Sequence, residues 1–109
     1  STYGTMKAHS FVTYSDESLK TNIQPVANAL DKVKSLQGVT YDWKSDGSSD
    51  IGFIAQEVEK VVPQIVKSND AEGSYAMNYS RVTALLVEGI KEQQAQIENL
   101  KNALASIKK

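Results

Sequence analysis

Ser15 and Lys20 are the residues of this sequence whose types could perform covalent chemistry. The 109 residues include no cysteine and a single histidine, His9. Thiolate catalysis, disulfides, thiolate zinc sites and sites built from several histidines are therefore excluded. A serine and a lysine can form a nucleophile and base pair without a histidine, because a neutral lysine can take the proton of the serine hydroxyl.

The use of lysine as a base sets a condition on its surroundings. With an ordinary lysine pKa of about 10.4, only about one such side chain in a few thousand is neutral at pH 7. Burial or a neighbouring cation must lower that pKa by roughly 3, which corresponds to about 4 kcal/mol. An exposed lysine would not serve. In the alternative interpretation, Ser15 or Asp16 caps a short turn and Lys20 is a surface charge.

The spacing of the two residues sets a second condition. Five residues correspond to about 140° around a helix and ~16 Å along a strand, so neither regular structure brings the side chains together. A turn through Asp16, Glu17 and Ser18, or a lysine from another subunit, is required.

The composition excludes several other classes of protein. Twelve basic and 13 acidic residues give a formal charge of −1 and a pI near 5.8, which argues against a protein that binds the phosphate backbone of nucleic acid. No apolar run approaches ~18 residues, so no membrane span is expected. Asp46 and Asp50 lie in a Ser/Gly loop that resembles a calcium loop only faintly, and a hairpin turn is expected there instead. We expect no metal, no other cofactor, no nucleic acid and no membrane contact.

The elements that must position Ser15 and Lys20 are short. Residues 1–14 form an extended lead-in, with a short strand through Phe11, Val12 and Tyr14. A helix is predicted over 25–37, with Pro25 at its first position and Gly38 as a left-handed cap. A second short helix is predicted over 55–62, stopped by Pro63.

Two hairpins are predicted between and after these helices. Alternating side chains over 39–43 indicate a strand that pairs with 51–54, where Gly52 marks a bulge or a close approach. The second hairpin pairs 64–67 with 74–78 around a turn at 68–73.

The last third of the chain has a heptad pattern. From Ser80, a plausible N-cap, residues recur at alternating steps of four and three, and we call this set the seam: Leu86, Ile90, Gln93, Ile97, Leu100, Leu104 and Ile107. Burying its six apolar members at ~1.5–3 kcal/mol each would contribute roughly 9–18 kcal/mol per chain, an upper bound. Partner helices offer enough apolar surface for this, whereas the alternative is a helix packed along its own globular part.

The predicted fold class is α+β: a small globular part with short helices and β-hairpins, followed by a long C-terminal helix in a trimeric parallel coiled coil. Ile and Leu are mixed at both heptad positions of the seam, which does not favour a dimer. Gln93 would set the register.

Four segments of the sequence together resemble one known family: SDESLKTNI (15–23), VTYDW (39–43), DIGFIAQEVEKVVPQIV (50–66) and YSRVTALLVEGIKEQQAQIENL (79–100). Their order is similar to that in the C-terminal intramolecular chaperone domain of bacteriophage tail spikes and fibres, the peptidase S74 type. A related domain occurs in the eukaryotic myelin regulatory factor. The resemblance covers 15–109.

The resemblance implies a homotrimer that assists folding of the preceding fibre or spike and then cuts itself off before the serine of the SD motif. The cut would fall at the Tyr14–Ser15 bond, with Ser15 as nucleophile and Lys20 as general base. Residues 1–14 would end the fibre, 15–80 would form the globular chaperone and protease, and 81–109 the coiled-coil helix. The setting would be the host cytoplasm during virion assembly, with release from the mature fibre or spike.

Four polar residues are candidates for supporting this chemistry: Asp16, Asn22, Gln56 and Glu57. Gln56 and Glu57 equally suit the start of a helix. Attack within the chain closes a five-membered ring, so the reacting groups are already held together; attack on another subunit stays open. We also expect trimer assembly to desolvate Lys20 and so to switch cleavage on.

Two other functions are compatible with the sequence. The first is a non-enzymatic trimerisation module of the same fold with an inactive Ser–Lys pair. The second is the autoprocessing domain of a membrane-tethered transcription factor, which would require a DNA-binding segment upstream and a membrane span downstream.

Overall fold

The computed structural model describes residues 14–69 and 73–108, so the predicted strand at Phe11 and Val12 lies outside the described residues. The described elements follow in this order: a 3₁₀ turn (Glu17–Leu19), α1 (Ala29–Ser35), β1 (Val39–Asp42), β2 (Ser49–Gly52), α2 (Ala55–Val61), a second 3₁₀ turn (Pro63–Ile65), β3 (Val66–Asn69), β4 (Ser74–Met77) and α3 (Tyr79–Ile107). This arrangement confirms the α+β class, with short helices, two hairpins and a long C-terminal helix. No helix in these residues is both long and apolar enough to cross a bilayer.

Both predicted hairpins are confirmed as two-stranded antiparallel sheets. In the first, Asp42 lies opposite Ser49, and the connecting turn contains Gly47 at a φ of 74°. Such a positive φ is readily adopted by glycine because it has no Cβ. In the second hairpin, Val66 lies opposite Met77. Each strand is four residues long, so the hairpins depend on packing against the helices for stability.

The core lies where α1, α2, the second 3₁₀ turn and the first turns of α3 meet. Its buried side chains are all aliphatic: Ala29, Val58, Val62, Ile65, Val82 and Leu85. Partly buried side chains from α1 and β4 cover this cluster. A core this small is consistent with the modest size of the chain.

Helix α1 begins later than predicted. Its first residue is Ala29 rather than Pro25, and the preceding Asn28 is left-handed with a φ of 54° and makes no side-chain cap. The carboxylate of Glu92 on α3 accepts hydrogen bonds from the backbone N–H groups of Ala29, at 2.6 Å, and Leu30, at 3.3 Å. The start of the helix is thus satisfied by a residue 63 positions away, which local sequence signals do not indicate.

The end of α1 also differs from the prediction. The helix closes at Leu36, which is extended, with its N–H donating to the carbonyl of Val33. Gly38 is not in the left-handed region. The chain turns out of the helix before it reaches this glycine, because β1 begins directly afterwards at Val39.

Gly52 is confirmed as a position of close approach. A Cβ added there would lie 2.6 Å from the hydroxyl of Tyr79, the first residue of α3. The same hydroxyl accepts a hydrogen bond from the N–H of Phe53 at 3.4 Å. The absence of a side chain at position 52 therefore lets the start of α3 rest on the end of β2.

Helix α3 spans 29 residues, about 43 Å at 1.5 Å per residue. Its N-cap is Asn78, whose side chain accepts from the N–H of Ser80, and not Ser80 itself as predicted. Four positions of its first half face the rest of the chain, and we call them the body face: Val82, Leu85, Gly89 and Glu92. A Cβ at Gly89 would lie 3.1 Å from Cγ2 of Val33, so α1 and α3 approach closely at this glycine.

The seam lies beside the body face and is exposed in the single chain. Its apolar side chains retain between 40% and 79% of their accessible surface, and Gln93 is exposed as well. All residues over 93–108 are exposed. The predicted alternative, a helix packed along its own globular part, therefore describes the body face but not the seam.

Candidate active site: the Ser15–Lys20 pair

A 3₁₀ turn lies between Ser15 and Lys20. Asp16 caps it, because its carboxylate accepts hydrogen bonds from both the N–H and the hydroxyl of Ser18. Two backbone bonds close the turn: Leu19 N–H to the carbonyl of Asp16 at 3.1 Å, and Lys20 N–H to the carbonyl of Glu17 at 3.0 Å. The bonds from Ser18, with a smaller contribution from the Lys20 charge, hold the pKa of Asp16 below its usual value.

The turn brings the two chemically interesting side chains into contact. Lys20 leaves it in an extended conformation, and its Nζ donates to Oγ of Ser15 at 2.7 Å. This is the separation that proton transfer from a serine to a lysine requires. The side chains meet because the chain turns through 16–18, as their spacing in the sequence required.

The pair is exposed to solvent. Ser15, Lys20 and the preceding Tyr14 all lie on the surface of the single chain, and Tyr14 keeps 87% of its accessible area. The contact is therefore in place in a single chain whose Ser15 and Lys20 side chains remain exposed to solvent. The Tyr14 carbonyl directly precedes the serine, so nucleophile and candidate substrate bond share one short segment.

The remaining candidates for supporting groups lie apart from this contact. Asn22 follows the turn in a left-handed conformation with a φ of 53°. Gln56 and Glu57 are exposed in the first turn of α2. Within 14–69 and 73–108, the hydrogen bonds of the Ser15 and Lys20 side chains involve none of these three residues, and their role as orienting groups stays a prediction.

Asp46 and Asp50 serve the first hairpin. Asp46 accepts from the N–H and hydroxyl of Ser48, at 2.9 and 2.7 Å, and these bonds lower its pKa from the usual value. Asp50 accepts from the indole N–H of Trp43 at 3.1 Å. In the part of the chain that the structure describes, no three acidic or histidine residues come together to hold a metal ion.

A groove that sequence reasoning missed lies between the first hairpin and the start of α3. It measures about 540 Å³ and is lined mainly by aromatic and apolar side chains, including Tyr41, Trp43, Phe53, Tyr75 and Tyr79. Burial, followed by the charge of Asp50, raises the pKa of the Tyr41 hydroxyl. The sequence signal was the alternation that places Tyr41 and Trp43 on one face of a strand, where their rings pack edge to face at 5.1 Å.

Comparison with known proteins identifies a protein family that matches part of the chain. Residues 15–67 match the family Peptidase_S74, described as chaperone of endosialidase. The match begins at Ser15 and includes the 3₁₀ turn, α1, the first hairpin and α2. This match over 15–67 confirms the resemblance noted in the sequence.

Among curated proteins, the chain is similar to long tail fibre proteins of bacteriophages. It is 34% identical over 111 residues to the long tail fiber protein Gp37 of Enterobacteria phage K3, covering 94% of this chain and 9% of that protein. Identity is 36% over 104 residues with Gp37 of Salmonella phage S16 (86% and 14%), and 36% over 99 residues with Gp37 of Enterobacteria phage M1 (83% and 39%). The chain thus spans well under half the length of these relatives.

Proposed function

We propose that this chain is an intramolecular chaperone that trimerises, assists folding of the preceding segment of a phage tail fibre or spike, and then releases itself by cutting the Tyr14–Ser15 bond. The family description and the tail fibre relatives support the chaperone role. The partners are two further copies of the chain and the upstream fibre, and the setting is the host cytoplasm during virion assembly. Release leaves 15–109 separate from the mature fibre.

The exposed seam supports a trimeric parallel coiled coil. Apolar side chains at heptad spacing that stay exposed within the described residues indicate a surface that packs against partner helices. Gln93 sets the register between the three helices. The body face remains packed against α1 in each copy. Several of its residues directly precede a seam residue in the sequence.

The observation that carries the proposed cleavage is the 2.7 Å contact between Lys20 Nζ and Ser15 Oγ. With Lys20 neutral, its amine takes the hydroxyl proton while Oγ attacks the carbonyl carbon of Tyr14. The Tyr14–Ser15 amide bond then breaks, and the Ser15 nitrogen receives the proton held by Lys20. The ester left between Tyr14 and the Ser15 side chain is hydrolysed by water, giving a Tyr14 carboxylate and a new amino terminus at Ser15.

Assembly supplies the condition that the single chain lacks. Lys20 is exposed in one copy, and packing of neighbouring copies around it would remove water and favour the neutral amine. Cleavage would then report that three chains have assembled. Attack takes place within one chain or between subunits of the trimer, and Asp16, Asn22, Gln56 and Glu57 remain the proposed orienting groups.

Mass mapping of the new amino terminus, paired with a size measurement in solution, tests the proposal. The wild type, expressed with upstream sequence, should yield a fragment that begins at Ser15. Ser15→Ala and Lys20→Arg should form uncleaved trimers, because alanine lacks the nucleophile and arginine stays charged. Matched surface changes, Ser45→Ala and Lys34→Arg, should cleave normally. Cleavage of Ser15→Ala at the same bond would refute the assignment.

A non-enzymatic trimerisation module is the second candidate. The exposure of both Ser15 and Lys20 favours it, since a solvated ammonium group is a poor base. In that case, the wild type and Ser15→Ala would each keep the intact mass of the uncut chain after assembly. The two candidates share the trimer and differ only in whether the chain is cut.

A further inference from the structure

We infer that Glu92 is a positioning residue for the Ser15–Lys20 pair, an inference that rests on the proposed cleavage. Glu92 lies on the body face of α3, half-buried, and its carboxylate holds the first two N–H groups of α1, those of Ala29 and Leu30. It touches neither reacting group and acts through the segment that connects α1 to Lys20.

Among the described residues, no other side chain caps the start of α1. Asn28 occupies the N-cap position without a side-chain bond to the helix, and it is left-handed. A left-handed conformation is uncommon for residues with a Cβ, although asparagine adopts it more readily than most. The hydrogen bond from the adjacent Ala29 N–H to the Glu92 carboxylate, at 2.6 Å, fixes the chain directly after Asn28. Glu92 thereby sets the direction in which the chain enters α1.

The segment between Lys20 and α1 is restricted enough to transmit this direction. Asn22 and Asn28 are both left-handed, and Pro25 between them has its φ fixed by its ring. Residues 24–27 border a cavity of about 380 Å³ whose other walls include Ala84 and Leu85 of α3. The segment is held at its α1 end by Glu92 and stiffened by the two asparagines and the proline, so we expect the anchor at Ala29 to influence where Lys20 lies.

Glu92 also lies next to the seam. Gln93, the following residue, is a seam position, and consecutive residues of a helix differ by about 100° in direction. When three seams pack together, the rotation of each α3 about its axis is set, and with it the direction of Glu92. Assembly would therefore affect Lys20 in two ways. It would exclude water from the amine, and it would influence the position of Lys20 through Glu92 and α1.

The test compares Glu92→Ala, Glu92→Asp and Glu92→Gln in the full chain with its upstream segment. Glu98→Ala is the control, because Glu98 lies on the same helix and pairs with Lys101 and Gln94, which are both exposed. Cleavage is measured as a first-order rate in samples shown to be trimeric. Alanine should slow it at least tenfold and aspartate by a similar factor, since both lose the reach to Ala29. Glutamine keeps an acceptor oxygen and should stay within threefold of wild type, as should the control.

Hydrogen exchange in trimers carrying Ser15→Ala gives a readout that does not need cleavage. The amides of Leu19 and Lys20, which close the 3₁₀ turn, should exchange at least threefold faster with Glu92→Ala than with Glu98→Ala. Unchanged exchange overturns the inference. The inference is also overturned if trimers of Glu92→Ala are cleaved at the wild-type rate and the substitution lowers only the stability of the trimer. If the wild type is never cut, the proposed function fails, and the exchange comparison still decides the role of Glu92.

Discussion

Replacing Leu100 of the seam with aspartate should abolish the trimer. Leu100 keeps 69% of its surface exposed in the single chain. Full burial of a leucine contributes ~1.5–3 kcal/mol, so burying this remaining fraction contributes about 1–2 kcal/mol per chain and about 3–6 kcal/mol per trimer. At 1.4 kcal/mol per factor of ten, the association constant should fall by roughly 10²- to 10⁴-fold. Three carboxylates facing one another in a single layer would lower it further.

Sedimentation of the Leu100→Asp chain should therefore give a monomer at concentrations where the wild type is a trimer, and a gel should show the precursor uncut. Ile97→Asp should behave in the same way. Asn102→Asp is the matched control, because it adds the same charge to the same helix on the side opposite the seam. Circular dichroism checks that the globular part stays folded.

Two results would refute the reasoning. A Leu100→Asp chain that remains a trimer would show that the seam is not the assembly surface. A monomeric variant that is processed at the wild-type rate would show that assembly does not control Lys20, even if the seam assignment is right.

Three further sets of changes test the packing and the turn. In a urea titration, Gly89→Ala should change the free energy of unfolding by less than ~1 kcal/mol, because the gain in helix propensity offsets a tight contact with Val33. Gly89→Leu is too large for this contact and should lower the free energy of unfolding by ~1–3 kcal/mol. Gly52→Ala should destabilise by a similar ~1–3 kcal/mol, and Tyr79→Phe, which removes the clashing hydroxyl, should recover part of that loss in a double-mutant cycle. Because the pKa of Asp16 is lowered, its carboxylate should stabilise the 3₁₀ turn above pH ~4, and the turn should weaken as the pH falls below that value. An NMR titration of the turn amides measures this, and Asp16→Asn should remove the pH dependence.

The sequence predicted most elements of the fold because their signals are local. Alternation over 39–43, the stop at Pro63 and the heptad steps of the seam each depend on near neighbours along the chain. The start of α1 was wrong by four residues because its cap, Glu92, lies 63 positions away. The cap of α3 is a different case, because Asn78 is a local cap only two residues from the predicted Ser80, within the usual uncertainty of helix ends.

The candidate site was partly accessible from sequence. The need for a turn between Ser15 and Lys20 followed from their separation, and the structure has such a turn capped by Asp16. The aromatic groove was not anticipated, because Tyr41 comes from β1 whereas Tyr79 comes from the first turn of α3. Two residues so far apart along the chain meet only through the tertiary fold.

Helix α3 packs against the globular part up to Glu92 and is exposed beyond it, which bears on the length that its distal part can have. Every described residue after Glu92, over 93–108, is exposed. The direction of this distal part is therefore set by angular alignment with the residues before it. Removing one complete seven-residue repeat turns the remainder by only about 20°, whereas removing five residues turns it by about 140°. The distal end should therefore tolerate shortening or extension in steps of seven while the globular part stays unaltered.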